Sequence, residues 1–287
     1  MNYAALIQNR KSVRSFTEQY VSFEVMDKIK VYHAASARRL LPEVNTTLRV
    51  FGLEARAALE GAAGYETFLV GAPQYLVLLS EKHPHAAENA GCIMQDLLLK
   101  LADMGLDSCW ITFHDSERIK AALEIESHMD VVAVAAFGYG EKTTKQLRVN
   151  KLSMSNVDVA AQRQYFNPKR SVSQLVWLNE WGSSEGVEEH IGFYGDLLWE
   201  AFYAASLAPS YLNRQPYGFL LRDGRIYLVQ APDTYTDGID AKLNLGIVLL
   251  HFSAVASQWA GKLIWQFEEN SALSLPEGYR TVASVAL

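Results

Sequence analysis

Apolar residues recur three and four positions apart over 1–8 and 22–36, which predicts two helices. Residues 74–80, QYLVLLS, form a short apolar run after Gly71 and Pro73 and predict a buried strand. A stronger helix is expected over 88–104, where Ile93, Met94, Leu97, Leu98, Leu101 and Met104 share one face and Gly105 is a natural stop. SCWITF (108–113) and VVAVAAFGYG (131–140) read as buried strands. Further on, a helix is expected over 192–207, ending near Ala208 because Pro209 disfavours helical geometry in the residue before it. Strand 217–222 turns at Asp223-Gly224 into strand 225–230. A long apolar helix over 240–259 ends near Gly261, and KLIWQF (262–267) and TVASVAL (281–287) follow as strands.

The two halves run a similar course. In each, a helix closed by glycine precedes two strands; 156 residues separate Gly105 from Gly261, and 150 separate Val131 from Thr281. That spacing is too long for a solenoid and reads as a degenerate internal duplication, with a chance resemblance of two α/β stretches as the plain alternative. The expected fold is α+β, with two degenerate halves forming a fused pseudo-dimer around a mixed or antiparallel sheet core. Residues 1–185 make the first half, including a polar connecting arm over about 141–185 that wraps the surface, and residues 186–287 make the second.

The chain has 287 residues, 49% of them hydrophobic, so a sizeable core is possible. A net charge of −6 argues against nucleic acid or an anionic membrane surface as the main partner. Two cysteines, Cys92 and Cys109, make no disulfide framework and fit a reducing, cytoplasmic setting. The segment MNYAALIQNRKSVRSF has no apolar core of signal-peptide type. The longest apolar run, 245–257, carries His251 and Ser253 and falls short of the roughly 20 residues of a membrane span.

Three stretches could carry chemistry. In NRKSVRSF (9–16), Arg10, Lys11 and Arg14 surround Ser12; forks and a hydroxyl suit phosphate oxygens, and a solvated basic segment is the plain alternative. In PSYLNRQP, Ser210, Asn213 and Gln215 offer donors and acceptors between two prolines, suited either to a planar heterocycle's edge or to making a turn. In GLDSCWITF (105–113), a glycine and a short strand could expose backbone N–H groups to a ligand, or simply enter the core. His83 and His85 stand in HPH with no second pair at zinc-like spacing, so no metal is expected. No G-x-S-x-G, Walker or Rossmann motif is present, and GYG at 138–140 is too short to be one.

Taken together, RKSVRSF, APSYLNRQPYGF, GAPQYLVLL, GLDSCWITF and VVAVAAFGYGEK resemble the flavin-dependent nitroreductase family, over most of the chain. The order departs from the usual one. In ordinary members the APSxxNxQP segment soon follows the arginine motif; here residues 27–50 take that place, and 195 residues separate Arg14 from Pro209. The chain therefore resembles the tandem, single-chain group labelled TM nitroreductases. Family members are usually homodimers whose two flavin mononucleotide (FMN) sites each draw on both subunits.

The resemblance implies one FMN site per chain, with the pseudo-symmetric second site lost. Arg10, Lys11, Ser12 and Arg14 would hold the phosphate and ribityl end, and Arg170 in NPKRSVSQLVW would be a late phosphate contact. Pro209, Ser210, Asn213 and Gln215 would approach the ribityl chain or ring from the other half. Trp110, Ile111 and Thr112 would line the isoalloxazine, with a backbone N–H near Thr112 facing flavin N5, and Gly71 and Ala72 are further candidates. The implied reaction is ping-pong hydride transfer from NADH or NADPH through N5 to a nitroaromatic, quinone or related electron-poor acceptor, with no catalytic side chain. The alternatives are another flavin reaction, such as reductive dehalogenation, and a flavin-binding sensor or partner module without turnover. The expected partners are a small-molecule acceptor and no nucleic acid or membrane, in a monomeric pseudo-dimer or a homodimer.

Overall fold

The computed structural model describes all residues except 37, 67, 142–145, 154–155, 163–167, 237 and 271, with 146–153 and 156–162 described by backbone alone. The chain divides into two compact units, residues 9–167 with Met1, and residues 2–8 with 168–287. The opening helix α1 (Tyr3–Asn9) is thus grouped almost wholly with the second unit.

The first unit contains α2 (Phe23–Ala35), β1 (Thr46–Phe51), α3 (Glu54–Leu59), β2 (Gln74–Ser80), α4 (Ala86–Asp103), β3 (Asp107–Ile111), α5 (Ser116–Ala122) and β4 (Asp130–Gly138). Its four-stranded sheet has the order β1-β2-β4-β3, antiparallel throughout. Every residue of β2 is buried, as expected of an unbroken apolar run covered on both faces. Helix α4 ends where Gly105 was expected to end it. Gly105 takes a left-handed φ of +77°, its N–H donates to Ala102 O at 3.0 Å, and Leu106 N–H donates to Leu101 O at 2.9 Å, the paired bonds of a Schellman cap.

The expected connecting arm is partly a hairpin, β5 (Gln146–Ser153) with β6 (Asn156–Gln162). Residues 142–145, 154–155 and 163–167 of that arm lie outside the described residues. Residues 168–185 belong to the second unit, where a single 3-10 turn (Val172–Gln174) leads into β7 (Val176–Leu178).

The second unit continues with α6 (Val187–Phe193), α7 (Asp196–Ser206), β8 (Tyr217–Arg222), β9 (Arg225–Gln230), α8 (Gly238–Ala260) and β10 (Arg280–Ala286). Its sheet has the order β10-β9-β8-β7, with β7 parallel to β8 and the other pairs antiparallel. The helix expected over 192–207 begins only at Asp196, because Gly195 takes a left-handed φ of +91° and separates it from residues 192–193, which close α6. KLIWQF is not a strand: only Gln266 pairs with the sheet, opposite Ser284. Its apolar content serves Trp265, which is buried beside Phe252 and donates from Nε1 to Ser253 Oγ at 2.8 Å. Helix α8 is long and apolar enough to cross a membrane, but 78% of the qualifying stretch is buried inside the protein, as in a core helix.

The pairing order is common to both units. β1-β2-β4 corresponds to β8-β9-β10, and β3 on the far edge of β4 corresponds to the Gln266–Ser284 bridge on β10. β7 is an extra strand of the second sheet.

A buried histidine gives the first unit a pH signature. His33 is 7% exposed on α2, its Nε2 lies 3.1 Å from Thr46 Oγ1, and Arg39 donates to the His33 carbonyl at 2.8 Å. Burial, and then the Arg39 charge, push its pKa down from 6.5 to about 4. The unfolded chain therefore binds the proton first as pH falls. The stability linked to His33 is complete above about pH 6.5 and is lost progressively toward pH 4, on the order of 1 to 3 kcal/mol. Chemical denaturation at pH 7 and pH 4.5 measures this. His33→Gln should show a smaller loss between the two pH values than the parent; an equal loss would remove His33 as its source.

Candidate functional site

The N-terminal arm docks along β3. Ser12 makes a parallel bridge to Ser108, and Val13 N–H donates to Ser108 O at 3.0 Å. Further along, Thr17 N–H donates to Tyr139 O at 2.8 Å, Glu141 N–H donates to Ser15 O at 3.0 Å, and Ser15 Oγ donates to Glu141 at 2.6 Å. The arm is therefore held by the sheet's backbone, and its basic side chains need not be spent on anchoring it.

Arg10 is partly exposed, and its Nη1 donates to the Lys11 carbonyl at 3.2 Å. Among the described residues it forms no ion pair with a carboxylate. Loss of hydration lowers its pKa to about 10; the neighbouring Cys109 sulfur opposes the shift and the Arg14 charge adds to it. It is still charged at neutral pH. Arg14 donates to the Ser12 carbonyl at 3.5 Å. Two guanidiniums thus lie close together, and among the described residues Arg10 has no acidic partner. Of a guanidinium's five N–H donors, Arg10 uses one, so an anion is the natural complement. Lys11 is exposed beside them.

Trp110 and Ile111 end β3, and Thr112 follows. Trp110 is fixed by its Nε1–H, which donates to Gln95 Oε1 on α4 at 2.9 Å; the Thr112 carbonyl accepts from Gly64 N–H at 2.8 Å. Gln95 is fully buried and was not singled out in the sequence, where a mid-helix glutamine carries no signal. Cys109 lies buried between these features, and burial pushes its thiol up while Arg14 and Arg10 pull it down. Cys92 is also buried and free. Among the described residues no cluster could hold a metal ion. Gly71 and Ala72 precede β2, and Ala72 N–H donates to Tyr75 Oη at 3.1 Å.

Arg170, Pro209, Ser210, Asn213 and Gln215 come together within the second unit. Gln215 is 1% exposed and spends both ends of its amide: Oε1 accepts from Arg170 N–H at 3.0 Å and Nε2 donates to Ser206 O at 2.7 Å. Ser210 Oγ accepts from Gln215 N–H at 2.9 Å. The Arg170 guanidinium donates to the carbonyls of Gln215 at 3.3 Å, Tyr217 at 3.0 Å and Gln174, and stacks over Trp177 at 5.6 Å. Lys169 Nζ donates to Ala208 O at 2.8 Å, where α7 has just ended.

Asn213 differs from its neighbours. Its Nδ2 donates to Pro168 O at 2.8 Å, which fixes the amide's orientation, because a flip would set two oxygens face to face. Its Oδ1 is buried and has no hydrogen-bond partner among the described residues. A buried acceptor left in that state is costly and suits a ligand N–H or O–H.

The family model described as "Putative TM nitroreductase" matches residues 2–256. The chain belongs to that family. Membership places it among nitroreductase-type oxidoreductases and accounts for the mixed α+β architecture of two sheets. A solved structure from Thermotoga maritima MSB8, described as a putative nitroreductase, is similar in fold over 100% of this chain and 94% of its own, with a TM-score of 0.58 and 19% identity. An FMN-dependent nitroreductase from Clostridium difficile R20291 covers 48% of this chain and 87% of its own, with a TM-score of 0.42 and 21% identity. A Parabacteroides distasonis ATCC 8503 structure named for NADH dehydrogenase/NAD(P)H nitroreductase covers 50% of this chain and 89% of its own, with a TM-score of 0.41 and 21% identity. No curated relative matches the chain significantly.

Within the TM nitroreductase framework, the residues singled out in the sequence fall into two sets. Arg10, Lys11, Ser12, Arg14, Trp110, Ile111 and Thr112 lie in the first unit, and Arg170, Pro209, Ser210, Asn213 and Gln215 in the second.

Proposed function

We propose that the protein is an FMN-dependent NAD(P)H oxidoreductase acting on nitroaromatics, quinones or related electron-poor acceptors. The observation that carries this reading is Arg10, a partly exposed guanidinium beside Arg14 with no carboxylate partner among the described residues. A phosphate monoester supplies the missing charge and accepts from the free donors. Arg10, Lys11, Ser12 and Arg14 would hold it, and Trp110, Ile111 and Thr112 would offer a wall to the flavin ring. Asn213 Oδ1 suits a ring N–H, with Pro209, Ser210 and Gln215 framing it. Resemblance alone, with no distance, ties that second segment to Arg10.

Bound FMN would supply the hydride chemistry, taking two electrons from NADH or NADPH and passing them to the acceptor. The residues' part is to bind, orient and exclude water. The matching strand order of the two units supports an internal duplication; that one of two ancestral sites persists is implied by the family resemblance. The two buried free thiols accord with a cytoplasmic location.

The test is the visible spectrum of the purified protein, chromatography of heat-released pigment, and steady-state NADH and NADPH oxidation with a quinone. FMN release and turnover are expected. FMN without turnover would favour a binding or sensing role, and a colourless protein that takes up no added FMN would overturn the reading.

A further inference from the structure

The segment around Asn213 is strained. Leu212, Asn213 and Gln215 all have left-handed φ values, +50°, +58° and +48°, without a glycine among them. Each such residue costs of order 1 kcal/mol or more and persists only where the surroundings enforce it. The hydrogen bonds of Arg170 and Gln215 fix the far end of the segment, at 215–217. Asn213 Nδ2, donating to Pro168 O, ties one point of its middle, and a second element holds the rest.

That element is the loop between β9 and α8. Arg214 donates to the Asp233 carboxylate from Nε at 3.2 and 3.3 Å and from Nη2 at 2.9 Å. The Asp233 side chain is only 3% exposed, and it also accepts from Thr236 Oγ1 at 2.6 Å and Tyr235 N–H at 3.3 Å. Tyr235 lies under the guanidinium at 4.8 Å. On the α8 side, Asn244 Oδ1 accepts from Tyr211 N–H at 3.0 Å. Arg214 thus sits between the two strained residues Asn213 and Gln215, and its fork is locked by a carboxylate that is itself fixed by two local donors.

We propose that Arg214 and Asp233 are positioning residues, a clamp that holds Leu212, Asn213 and Gln215 at their left-handed φ values and so keeps the Asn213 acceptor in place for a ligand donor. The clamp itself is read from the geometry; the identification of that ligand with FMN rests on the function proposed above. The strain is then part of preorganisation. The segment is ordered before the ligand arrives, so binding does not have to order it.

The experiment uses the full chain and two variants, Asp233→Asn and Arg214→Met, with far-UV spectra and thermal midpoints showing that each folds. Hydrogen exchange reads the clamp directly. The amides of Asn213, Arg214 and Gln215, all hydrogen-bonded in the parent, should exchange about tenfold faster in both variants, while those of the β8–β9 hairpin keep their rates. FMN affinity should fall about tenfold in each, and the double variant should lose no more than either single one. Unchanged exchange at 213–215 overturns the clamp. Faster exchange with unchanged FMN affinity overturns the positioning role. If the parent itself binds no FMN, the functional reading and the ligand assignment fail together, while exchange still decides the clamp.

Discussion

Replacing Arg10 with Ala is expected to weaken FMN binding by about 10- to 100-fold, the usual worth of a hydrogen bond to a charged group. Arg10 has one hydrogen bond, to a backbone carbonyl, and no carboxylate partner among the described residues, so the variant leaves no orphaned acid behind. It also removes a like charge from beside Arg14. The ligand-free variant should therefore unfold no earlier than the parent, and reduced affinity cannot then be ascribed to a damaged fold. Arg10→Lys should fall between the two, because an ammonium keeps the charge but not the fork. Riboflavin, which lacks the phosphate, is the decisive control. If Arg10 reads phosphate, Arg10→Ala should change riboflavin affinity far less than FMN affinity in fluorescence titrations. Equal losses for both ligands would move Arg10 to another part of the flavin, and no loss for either would remove it from the site.

Much of the fold was legible because burial leaves a simple mark on sequence. QYLVLLS and VVAVAAFG are continuous apolar runs, and both became central strands. Gly105 and Gly261 were read as helix ends, and both adopt left-handed φ, +77° and +71°. What failed were places where the same residue types serve two purposes. KLIWQF has a strand's composition, yet its tryptophan packs beside Phe252 and only Gln266 reaches the sheet. The helix expected over 192–207 is interrupted at Gly195, a residue that a helix tolerates at modest cost and whose backbone angle composition does not reveal. β1 went unread because TTLRVF is neither fully apolar nor cleanly alternating, and its burial is mixed to match.

The candidate site was legible in kind more than in detail. PSYLNRQP invited two readings, a turn and a ligand frame, and the structure supplies the physics of both. The Gln215 amide is spent on Arg170 N–H and Ser206 O and Ser210 Oγ accepts from Gln215 N–H, whereas Asn213 Oδ1 has no hydrogen-bond partner among the described residues. Arg170 was singled out as a phosphate contact; its observed donors go to the carbonyls of Gln174, Gln215 and Tyr217. Asp233 gave no signal in the sequence, because the residue it locks, Arg214, lies 19 positions earlier. Nor does a pattern of residue types report ion pairing: that Arg10 has no carboxylate partner among the described residues emerges only once its neighbours are placed.

Gly218→Ala should destabilise the protein by about 2 to 4 kcal/mol, the cost of forcing bulk into a filled space and shifting an aromatic cluster. Gly218 has no unusual backbone angle; space is what requires it. A Cβ there would fall 2.0 Å from Trp177 Cζ3, 2.8 Å from Cη2 and 2.9 Å from the Leu175 carbonyl oxygen. The indole therefore lies directly across β8 at the position of the missing side chain. Moving it disturbs more than one contact, since Trp177 stacks on Trp181 at 4.0 Å, carries the Arg170 guanidinium at 5.6 Å, and helps cover Leu220, Tyr227, Val229 and Leu273. Because Arg170 also grips the carbonyls of Gln215 and Tyr217, the strain should reach the segment that presents Asn213. Urea denaturation followed by tryptophan fluorescence gives the magnitude. A double-mutant cycle gives the cause: in a Trp177→Ala background the added methyl should cost much less, with only the Leu175 carbonyl left to yield. Full stability of Gly218→Ala, or an undiminished cost without the indole, would show that the sheet accommodates the methyl in some other way and that Trp177 does not set the requirement for glycine.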